Sequence, residues 1–386
     1  MSFSSENTRT KFYTIPLSCL SQECEIINPI LKNCGGCDVH KSMVMSCILT
    51  GDFNEQPRKE IRDFGTMTKE ILTMANWFLD NEVYDVAMES TGVYWKPIFN
   101  ILESKGIKVV LVNARHIKNL PGRKTDIKDA QWIAELFRTG LISPSFIPPK
   151  EIRELRDLNR TRRKLVEEKT RIKNRIEKVL QDSNIKLSSV VSNVFGVSGR
   201  ALISSLSDQT QLTPDDISSM VKGQLKNKVN QIGDAMEGKF SETNKFLLKQ
   251  HLRHLDFLEI SIAEIDLKIE ENMMAFQTES ELIQSIPGIS KIAASSIIAE
   301  IGADMSRFPN EHHLSSWAAM CPGNNESAGK KKSGKTRKGN NYLKGILTEC
   351  AWAASRTKDT ELSAFYHRLV RKKGKKRALV ALGHKM

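Results

Sequence analysis

The amino-acid sequence predicts an α/β domain, then a long helical region, then a mainly α-helical C-terminal domain. Three observations support this order. Over residues 34–150, short apolar runs alternate with amphipathic stretches, which is typical of a sheet covered by helices. From residue 151 the chain becomes rich in charge and keeps an apolar period of seven, which favours long helices. From residue 281 two helical patterns flank a Pro-Gly turn.

The α/β domain is assigned from three apolar runs and two amphipathic stretches. The runs predict buried strands at 44–49, 83–88 and 108–113, and the stretches predict helices at 67–81 and 95–105. Pro148 and Pro149 stop regular structure and end this domain at residue 150. Residues 1–33 show no clear periodicity, so we predict a poorly ordered arm there.

The helical region, residues 151–280, contains two long amphipathic stretches. In the first, which has no Gly or Pro up to Asp182, an apolar residue recurs every seven positions, at Leu158, Leu165, Ile172 and Val179. This period predicts a coiled coil, although Arg162 and Lys169 interrupt the second apolar stripe. A second such stretch covers 245–274. The two helices would pair antiparallel as an arm, or between protomers.

The C-terminal domain, residues 281–386, begins with a Pro287-Gly288 turn between two helical patterns. The pattern resembles a helix-hairpin-helix, whose backbone amides face a DNA phosphate. Any helical connector that uses glycine has the same pattern, so a purely structural turn is the alternative.

The composition favours a polyanionic partner. Lys and Arg total 58 against 45 acidic residues, a formal net charge of +13. Basic side chains that meet phosphates release condensed counterions, but charge alone does not separate DNA, RNA and an anionic membrane. No apolar run is long enough to span a membrane, and the N-terminus lacks the pattern of a secretory signal.

Cysteine usage predicts reduced thiols in a cytoplasmic protein, since seven cysteines are scattered along a long chain. Cys34 and Cys37 form a single Cys-x-x-Cys with His40 nearby. A structural zinc site needs about four ligands, and the sequence offers no second pair. This motif is therefore a weak metal candidate.

Four carboxylates form the first candidate site. Asp38 stands at the start of the first strand run, Glu89 follows the run 83–88, and Asp126 and Asp129 lie where a helix begins. An i, i+3 spacing places both aspartates on one helix face. Hard cations such as Mg²⁺ prefer oxygen ligands and stabilise attacking and leaving phosphate oxygens. Alternatively, each aspartate caps a helix and Glu89 is simply solvated.

A serine in a basic loop forms the second candidate site. Ser327 lies among small residues in 317–347, and no acid occurs from Ala328 to Thr348. Six cations follow the serine, namely Lys330, Lys331, Lys332, Lys335, Arg337 and Lys338. A hydroxyl held there would attack phosphorus and form a phosphoserine link. The alternative is a solvated loop that only grips DNA, with Ser327 as a turn residue.

Two further features belong to this second site. Ser333 is another candidate nucleophile, less favoured because lysines crowd it. A second basic run over 367–380, with Arg371, Lys372 and Lys373, predicts phosphate contacts or RNA binding. A solvated helix end would show the same pattern.

Taken together, these motifs resemble one family. They are CDVHK, AMESTGVYWKPIFNILE, LVNARHIKNLPGRKTDIKDAQW, SFIPPKEIRELRDL, SIPGI and CPGNNESAGKKKSGKTRKGN, and they extend from about residue 28 to the C-terminus. The chain resembles insertion-sequence transposases that join an N-terminal RuvC-like DEDD domain to a C-terminal serine-containing domain. The group is also described as bridge-RNA-guided recombinases.

The resemblance implies a fold and a chemistry. The α/β domain would be RNase H-like (RuvC-like), with Asp38, Glu89, Asp126 and Asp129 as ligands of Mg²⁺, or of Mn²⁺ in its place. Ser327 would be the nucleophile of a composite site, and a phosphoserine intermediate would keep the bond energy for strand exchange. Two basic residues of GRKTD, Arg123 and Lys124, are expected to contact nucleic acid.

The resemblance also implies partners. These are donor and target DNA, a noncoding guide RNA encoded by the element, and further copies of the chain in a homo-oligomer, as a tetramer. No membrane partner is expected, and the protein would be cytoplasmic and associated with the nucleoid of a prokaryote.

Two other functions remain open at the level of sequence. A Holliday-junction resolvase-like nuclease would use the four carboxylates and water, with Ser327 only structural. An inactive remnant would bind DNA or RNA through the basic loops without cutting. A covalent protein–DNA adduct separates the recombinase from both.

Overall fold

The computed structural model describes residues 29–89, 92–112, 126–142, 144–208, 212–323, 325–327, 329–333, 335–336 and 338–386. For residues 126–128, 325–327 and 331–333 it describes the backbone alone. The predictions for Arg123, Lys124, Arg337 and most of the N-terminal arm therefore lie outside the described residues. The chain divides into two compact units, 1–147 and 148–386, and each is described by itself.

The N-terminal unit is built on a mixed five-stranded sheet with the order β3-β2-β1-β4-β5. Strands β1, β2 and β3 are antiparallel neighbours, whereas β4 runs parallel to β1 and β5 parallel to β4. The strands are β1 (Cys34–Val39), β2 (Met43–Thr50), β3 (Arg58–Gly65), β4 (Asp85–Glu89) and β5 (Lys108–Val112). The helices are α1 (Thr68–Asp80), α2 (Trp95–Ser104) and α3 (Asp126–Arg138).

Helices cover both faces of this sheet. On one face Cys37 and Val39 join a core with α1 and α2 that includes Phe78 and Leu102. On the other face Cys34 packs with Ala130 and Ala134 of α3. Successive side chains along β1 thus pack into the cores on opposite faces of the sheet. A strand buried on both faces has no polar side, which explains why every residue of β1 is buried.

Strands β1 and β3 are the strands of this sheet that the sequence did not predict. The two glycines of β1 weaken the apolar pattern, and β3 (RKEIRDFG) is an edge strand whose charged residues are mostly exposed. The prediction that Asp38 begins the strand run 44–49 is therefore wrong. Asp38 lies next to the end of its own strand, paired across the hairpin with Met45.

Gly36 is the position at which α3 meets the sheet. A Cβ built on Gly36 would lie 2.5 Å from the backbone nitrogen of Ala134 and equally close to the carbonyl oxygen of Ala130. Only a residue without a side chain permits this approach of helix to strand. The glycine therefore sets how close α3 lies to β1.

Among its described residues, the C-terminal unit is helical apart from a two-stranded hairpin, β6 (Asn325–Ser327) and β7 (Lys330–Ser333). Short 3-10 turns lie at Gly223–Lys228, Met274–Phe276 and Met305–Arg307. The helices are α4 (Lys150–Asp182), α5 (Leu187–Val190), α6 (Val197–Asp208), α7 (Pro214–Met220), α8 (Val229–Met236), α9 (Glu242–Met273), α10 (Gln277–Gln284), α11 (Lys291–Ile301), α12 (Glu311–Trp317), α13 (Asn341–Ala354), α14 (Glu361–Lys373) and α15 (Lys375–Lys385).

Helices α4 and α9 pair antiparallel within the chain. Near the start of α4, Leu155 packs with Ile269 and Met273 near the end of α9, whereas Ile176 packs with the first half of α9. The two cations that interrupt the apolar stripe of α4 find carboxylates on α9. Arg162 donates from Nη2 to Asp266 at 3.2 Å, and Lys169 lies 3.2 Å from Glu259.

The predicted Pro-Gly turn connects α10 and α11. Gly288 has a φ of +93°, and a Cβ there would lie 2.6 Å from the carbonyl oxygen of Cys350 in α13. The turn is therefore packed against a helix of its own unit. Its role in binding a DNA phosphate remains a prediction.

No helix among the described residues is long and apolar enough to cross a membrane.

We expect Gly36→Val to lower the free energy of unfolding by about 3 kcal/mol, because the new side chain would overlap the backbone of α3. Gly233→Ala is the matched control, since Gly233 lies in α8 and only Ile217 is near its Cβ position, at 3.8 Å. That change should leave stability equal or raise it by up to about 1 kcal/mol. Urea unfolding measures the free energy of unfolding of both variants. Equal changes in the two would contradict a tight contact between Gly36 and α3.

Candidate functional site

Asp38 and Glu89 lie next to each other on the α3 face of the sheet. The parallel register of β1 and β4 pairs Cys37 with Met88, so the following residues, Asp38 and Glu89, are level. Gly36 meets α3, and Asp38, two residues further along the strand, shares its face. Ala87 packs against Ile133 of α3, which places Glu89 on that face too.

Helix α3 runs antiparallel to β1, and this direction brings its first turn toward Asp38. Cys34, at the start of β1, donates a hydrogen bond to the carbonyl oxygen of Ala134, and Gly36 lies against Ala130 and Ala134. Asp126 and Asp129 precede Ala130 and Ile133 by four residues each, so both lie on the sheet-facing stripe. The backbone positions of the four predicted residues therefore lie toward the same end of this layer.

Asp38 is buried, with 6% of its surface exposed. The Nε2 atom of His40 lies 3.1 Å from an Oδ2 atom of this carboxylate, and the imidazole is the more exposed partner. Burying a carboxylate costs free energy unless partners or a cation compensate it. His40 is a neighbour of the site whose role the sequence did not reveal.

The donor set suits a hard divalent cation, because it consists of carboxylate oxygens alone. Among the described side chains, which leave out that of Asp126, no three His, Cys, Asp or Glu residues are grouped closely enough to hold a metal ion. The fit therefore rests on the backbone placement of the carboxylates and on the burial of Asp38.

The Cys-x-x-Cys motif does not form a shared site. Both residues lie on β1, three positions apart, so their side chains lie on opposite faces. Cys34 contacts Ala134, whereas Cys37 is 3.5 Å from the Ser46 hydroxyl. Burial raises the pKa of each thiol to about 12, which is expected of inert core cysteines.

Ser327 ends β6 and pairs with Lys330 across the hairpin. Gly329, at the turn, has a φ of +73°, a left-handed conformation that favours glycine. Of the cations that the sequence singled out, Lys330, Lys335 and Lys338 are exposed. The side chains of Ser327, Lys331 and Lys332 lie outside the description.

The base of this hairpin is fixed to its own unit. The amide of Gly323 donates to the carbonyl oxygen of Lys335 at 2.8 Å, and Lys344 of α13 donates to the hydroxyl of Thr336 at 2.5 Å. The amide of Asn340 donates to the carbonyl oxygen of Trp317 in α12. Hydrogen bonds therefore hold both ends of the segment that contains Ser327 against the helices of its own unit.

A buried carboxylate, Glu300 of α11, connects this base to α4. Glu300 is 2% exposed and accepts two hydrogen bonds of 2.8 Å from Arg160. It also accepts a 2.6 Å hydrogen bond from the side-chain Nδ2 of Asn340, whose side-chain oxygen caps α13. Arg160 in turn lies 4.3 Å from the ring centroid of Tyr342. Sequence reasoning missed this network because its members are far apart along the chain.

The second basic run forms the junction of α14 and α15. Arg371, Lys372 and Lys373 lie in the last turn of α14, where the helix dipole favours positive charge. Lys375, Lys376 and Arg377 follow in the first turn of α15, where the dipole disfavours it. All six are exposed. The helix dipole therefore accounts for the three cations at the end of α14 but not for the three at the start of α15. These last three favour an anionic partner.

Comparison with known proteins identifies relatives of both units. Residues 35–185 match the DEDD transposase model of the IS110 group, and residues 280–367 match the model described as Transposase IS116/IS110/IS902 family.

Individual relatives agree with these matches. The transposase for insertion sequence element IS1111A of Coxiella burnetii is 25% identical over 311 residues, which cover 78% of this chain and 74% of that protein. Protein y4qE of Sinorhizobium fredii is 24% identical over 66% of this chain and 55% of its own length. An insertion element IS116 protein of Streptomyces clavuligerus is 23% identical over 66% of this chain and 67% of that protein.

We expect Glu300→Ala to lower the free energy of unfolding by about 3 kcal/mol, since it leaves a partly buried guanidinium without its carboxylate. Glu154→Ala removes an exposed ion pair with Lys150 in the same helical unit and should cost less than about 0.5 kcal/mol. Thermal and urea unfolding measure both changes. An equal decrease in the free energy of unfolding in both variants would show that the Glu300 network stabilises the protein no more than an exposed ion pair does.

The raised thiol pKa values predict slow alkylation. Because the pKa values of Cys34, Cys37 and Cys47 are about 12, iodoacetamide at pH 8 should leave them unmodified in the folded protein. Among the five cysteines that the structure describes, Cys321, which is partly exposed, should react first. Reactivity of the buried thiols should still rise between pH 9 and pH 10 rather than level off. Peptide mapping by mass spectrometry checks this, and alkylation of Cys37 as fast as Cys321 would contradict it.

Proposed function

Because the chain belongs to the IS116/IS110/IS902 family of transposases, with an N-terminal DEDD domain, we propose that this DNA-acting enzyme cuts and rejoins strands through a covalent phosphoserine intermediate. The observation that supports the proposal most is the placement of the carboxylates. Buried Asp38 is level with Glu89 on the face that meets the first turn of α3, the turn that contains Asp126 and Asp129.

These four residues would hold Mg²⁺, or Mn²⁺ in its place. The bound ion would supply positive charge that polarises the scissile phosphate. The contribution of the chain is to fix the carboxylates before DNA binds. The strands position Asp38 and Glu89, and the contact at Gly36 positions the helix.

Ser327 is the proposed nucleophile. Its Oγ attacks the phosphorus of the scissile phosphodiester, a P–O bond to serine forms, and the P–O bond to one sugar breaks. The serine proton goes to water, and the departing sugar oxygen takes a proton. Exposed Lys330, Lys335 and Lys338 would neutralise the phosphate during this step.

Rejoining reverses the same exchange on another strand. A free sugar hydroxyl attacks the phosphoserine, the new phosphodiester forms, and Ser327 regains its proton. The number of phosphoester bonds is unchanged at each step, so no ATP is needed. As the family resemblance implies, the exchange would use both the carboxylates and Ser327.

Nucleic-acid contacts complete the proposal. The six cations at the α14–α15 junction would bind donor or target DNA, or a noncoding guide RNA that sets the sequence choice. Arg123, Lys124, Lys331, Lys332 and Arg337 are proposed contacts from sequence alone. The assembly that holds two duplexes would be a homo-oligomer, in the form of a tetramer.

We expect a denaturant-resistant protein–DNA adduct when the protein meets element-junction DNA, flanking noncoding RNA and Mg²⁺. Ser327→Ala and Asp38→Ala should each reduce the adduct about a thousandfold or more, because each removes a group that takes part in bond exchange. Ser333→Ala is the matched control on the same hairpin and should keep the adduct. Denaturing gels measure it, with thermal unfolding as a check on folding.

Other outcomes select the other functions. DNA that is cut without an adduct, and is still cut by Ser327→Ala, would replace the serine mechanism with a hydrolytic nuclease. DNA that is bound but never cut, with the correct RNA and junction present, would indicate a binding protein. Loss of the adduct in Ser333→Ala alone would move the nucleophile to Ser333.

A further inference from the structure

His40 is held in place at the turn of the hairpin between β1 and β2. Its backbone amide donates to the carbonyl oxygen of Met43 at 2.9 Å and closes the hairpin. The hydroxyl of Thr66, just beyond the end of β3, donates to the carbonyl oxygen of Lys41 at 3.2 Å. Hydrogen bonds from two directions therefore hold the short segment from which the imidazole of His40 extends.

The imidazole of His40 lies on the solvent side of the buried Asp38 carboxylate. Residues two apart along a strand share a face, and the Nε2 atom of His40 lies 3.1 Å from the Oδ2 atom of Asp38. The His40 side chain is 45% exposed and that of Asp38 only 8%. Because an ionised carboxylate can only accept, Nε2 carries the proton and donates it.

We propose that His40 is a positioning residue for the cation site, because its hydrogen bond orients the Asp38 carboxylate before the metal ion binds. The proposal rests on the proposed function only in that Asp38 helps to hold the cation. It gives His40 neither a bond to the metal ion nor a step in strand exchange. A carboxylate that is already oriented loses less rotational freedom on binding, so the affinity for the ion rises.

The strand alone does not determine how the Asp38 carboxylate is turned. Pairing with β2 and β4 fixes the backbone at the end of β1, but the last torsion of an aspartate side chain has a broad range of allowed angles. A hydrogen bond to one of the two oxygens restricts that torsion. Since the backbone of His40 is itself held by the hairpin, the donor has a defined position relative to the carboxylate.

The observed contact favours a positioning role over direct binding of the cation by His40. Nε2 is engaged with Oδ2, and a ring that bound the ion through this atom would lose the hydrogen bond. Mg²⁺ also prefers oxygen to nitrogen ligands. A comparable but more exposed pair supplies a control, since His254 lies 3.6 Å from Glu168 with side chains that are 40% and 39% exposed.

Titration of the full-length, DNA-free protein with Mn²⁺, followed by electron paramagnetic resonance of the unbound ion, tests the proposal. We expect His40→Ala to weaken Mn²⁺ binding about 10- to 100-fold. His40→Gln should recover most of the affinity, because the glutamine amide can donate from a similar position. His254→Ala should keep the wild-type affinity, and Asp38→Ala should abolish binding, which shows that Mn²⁺ reports on this site.

Three outcomes would overturn the role of His40. They are a wild-type protein that does not bind Mn²⁺, a His40→Ala variant with the wild-type affinity, and a His40→Gln variant as weak as His40→Ala. Urea unfolding without metal checks that each variant is folded.

Formation of the protein–DNA adduct separates this proposal from the serine mechanism. In His40→Ala the adduct should return as the metal concentration is raised, whereas in Asp38→Ala it should not. If Ser327→Ala still cuts DNA while the Mn²⁺ affinities change as expected, the serine mechanism is wrong and the role of His40 stands.

Discussion

The close approach of α3 to β1 at Gly36 is the contact on which the candidate site depends. Because the strand has no side chain there, the backbone of α3 packs directly on the sheet, and the antiparallel direction of the helix brings its first turn to the end of β1. Asp38 and Glu89 then share a layer with the start of α3. A larger residue would move the helix and, with it, two of the four carboxylates.

The C-terminal unit solves a similar positioning problem with a buried charge. Transferring a carboxylate from water costs several kcal/mol unless its partners are well placed, and Glu300 has two guanidinium hydrogen bonds and one from Asn340. Since those partners lie on α4 and at the start of α13, one side chain connects three helices near the base of the serine hairpin. Helix α4 thus anchors that hairpin as well as pairing with α9.

The sequence predicted what local pattern determines and missed what long-range packing determines. The helix at 67–81 is α1 (Thr68–Asp80), and the long stretches from 151 and 245 are α4 and α9, because period and length identify such helices. Strand β1 was not predicted, because its two glycines interrupt the apolar pattern and the role of Gly36 becomes evident only from its contact with α3. Asp38 and Glu89 stood out beside apolar runs, whereas Glu300 and Asn340, which are 40 residues apart, have no local signal.

The charges that interrupt the apolar stripe of α4 show how the paired helices keep their register. Arg162 meets Asp266 and Lys169 meets Glu259, two contacts seven residues apart on each helix. A slip by one turn would bury a cation against apolar side chains without its carboxylate, which costs more than an exposed pair contributes. An imperfect apolar seam therefore specifies a single alignment of α4 and α9, and that alignment fixes which side of α9 remains exposed.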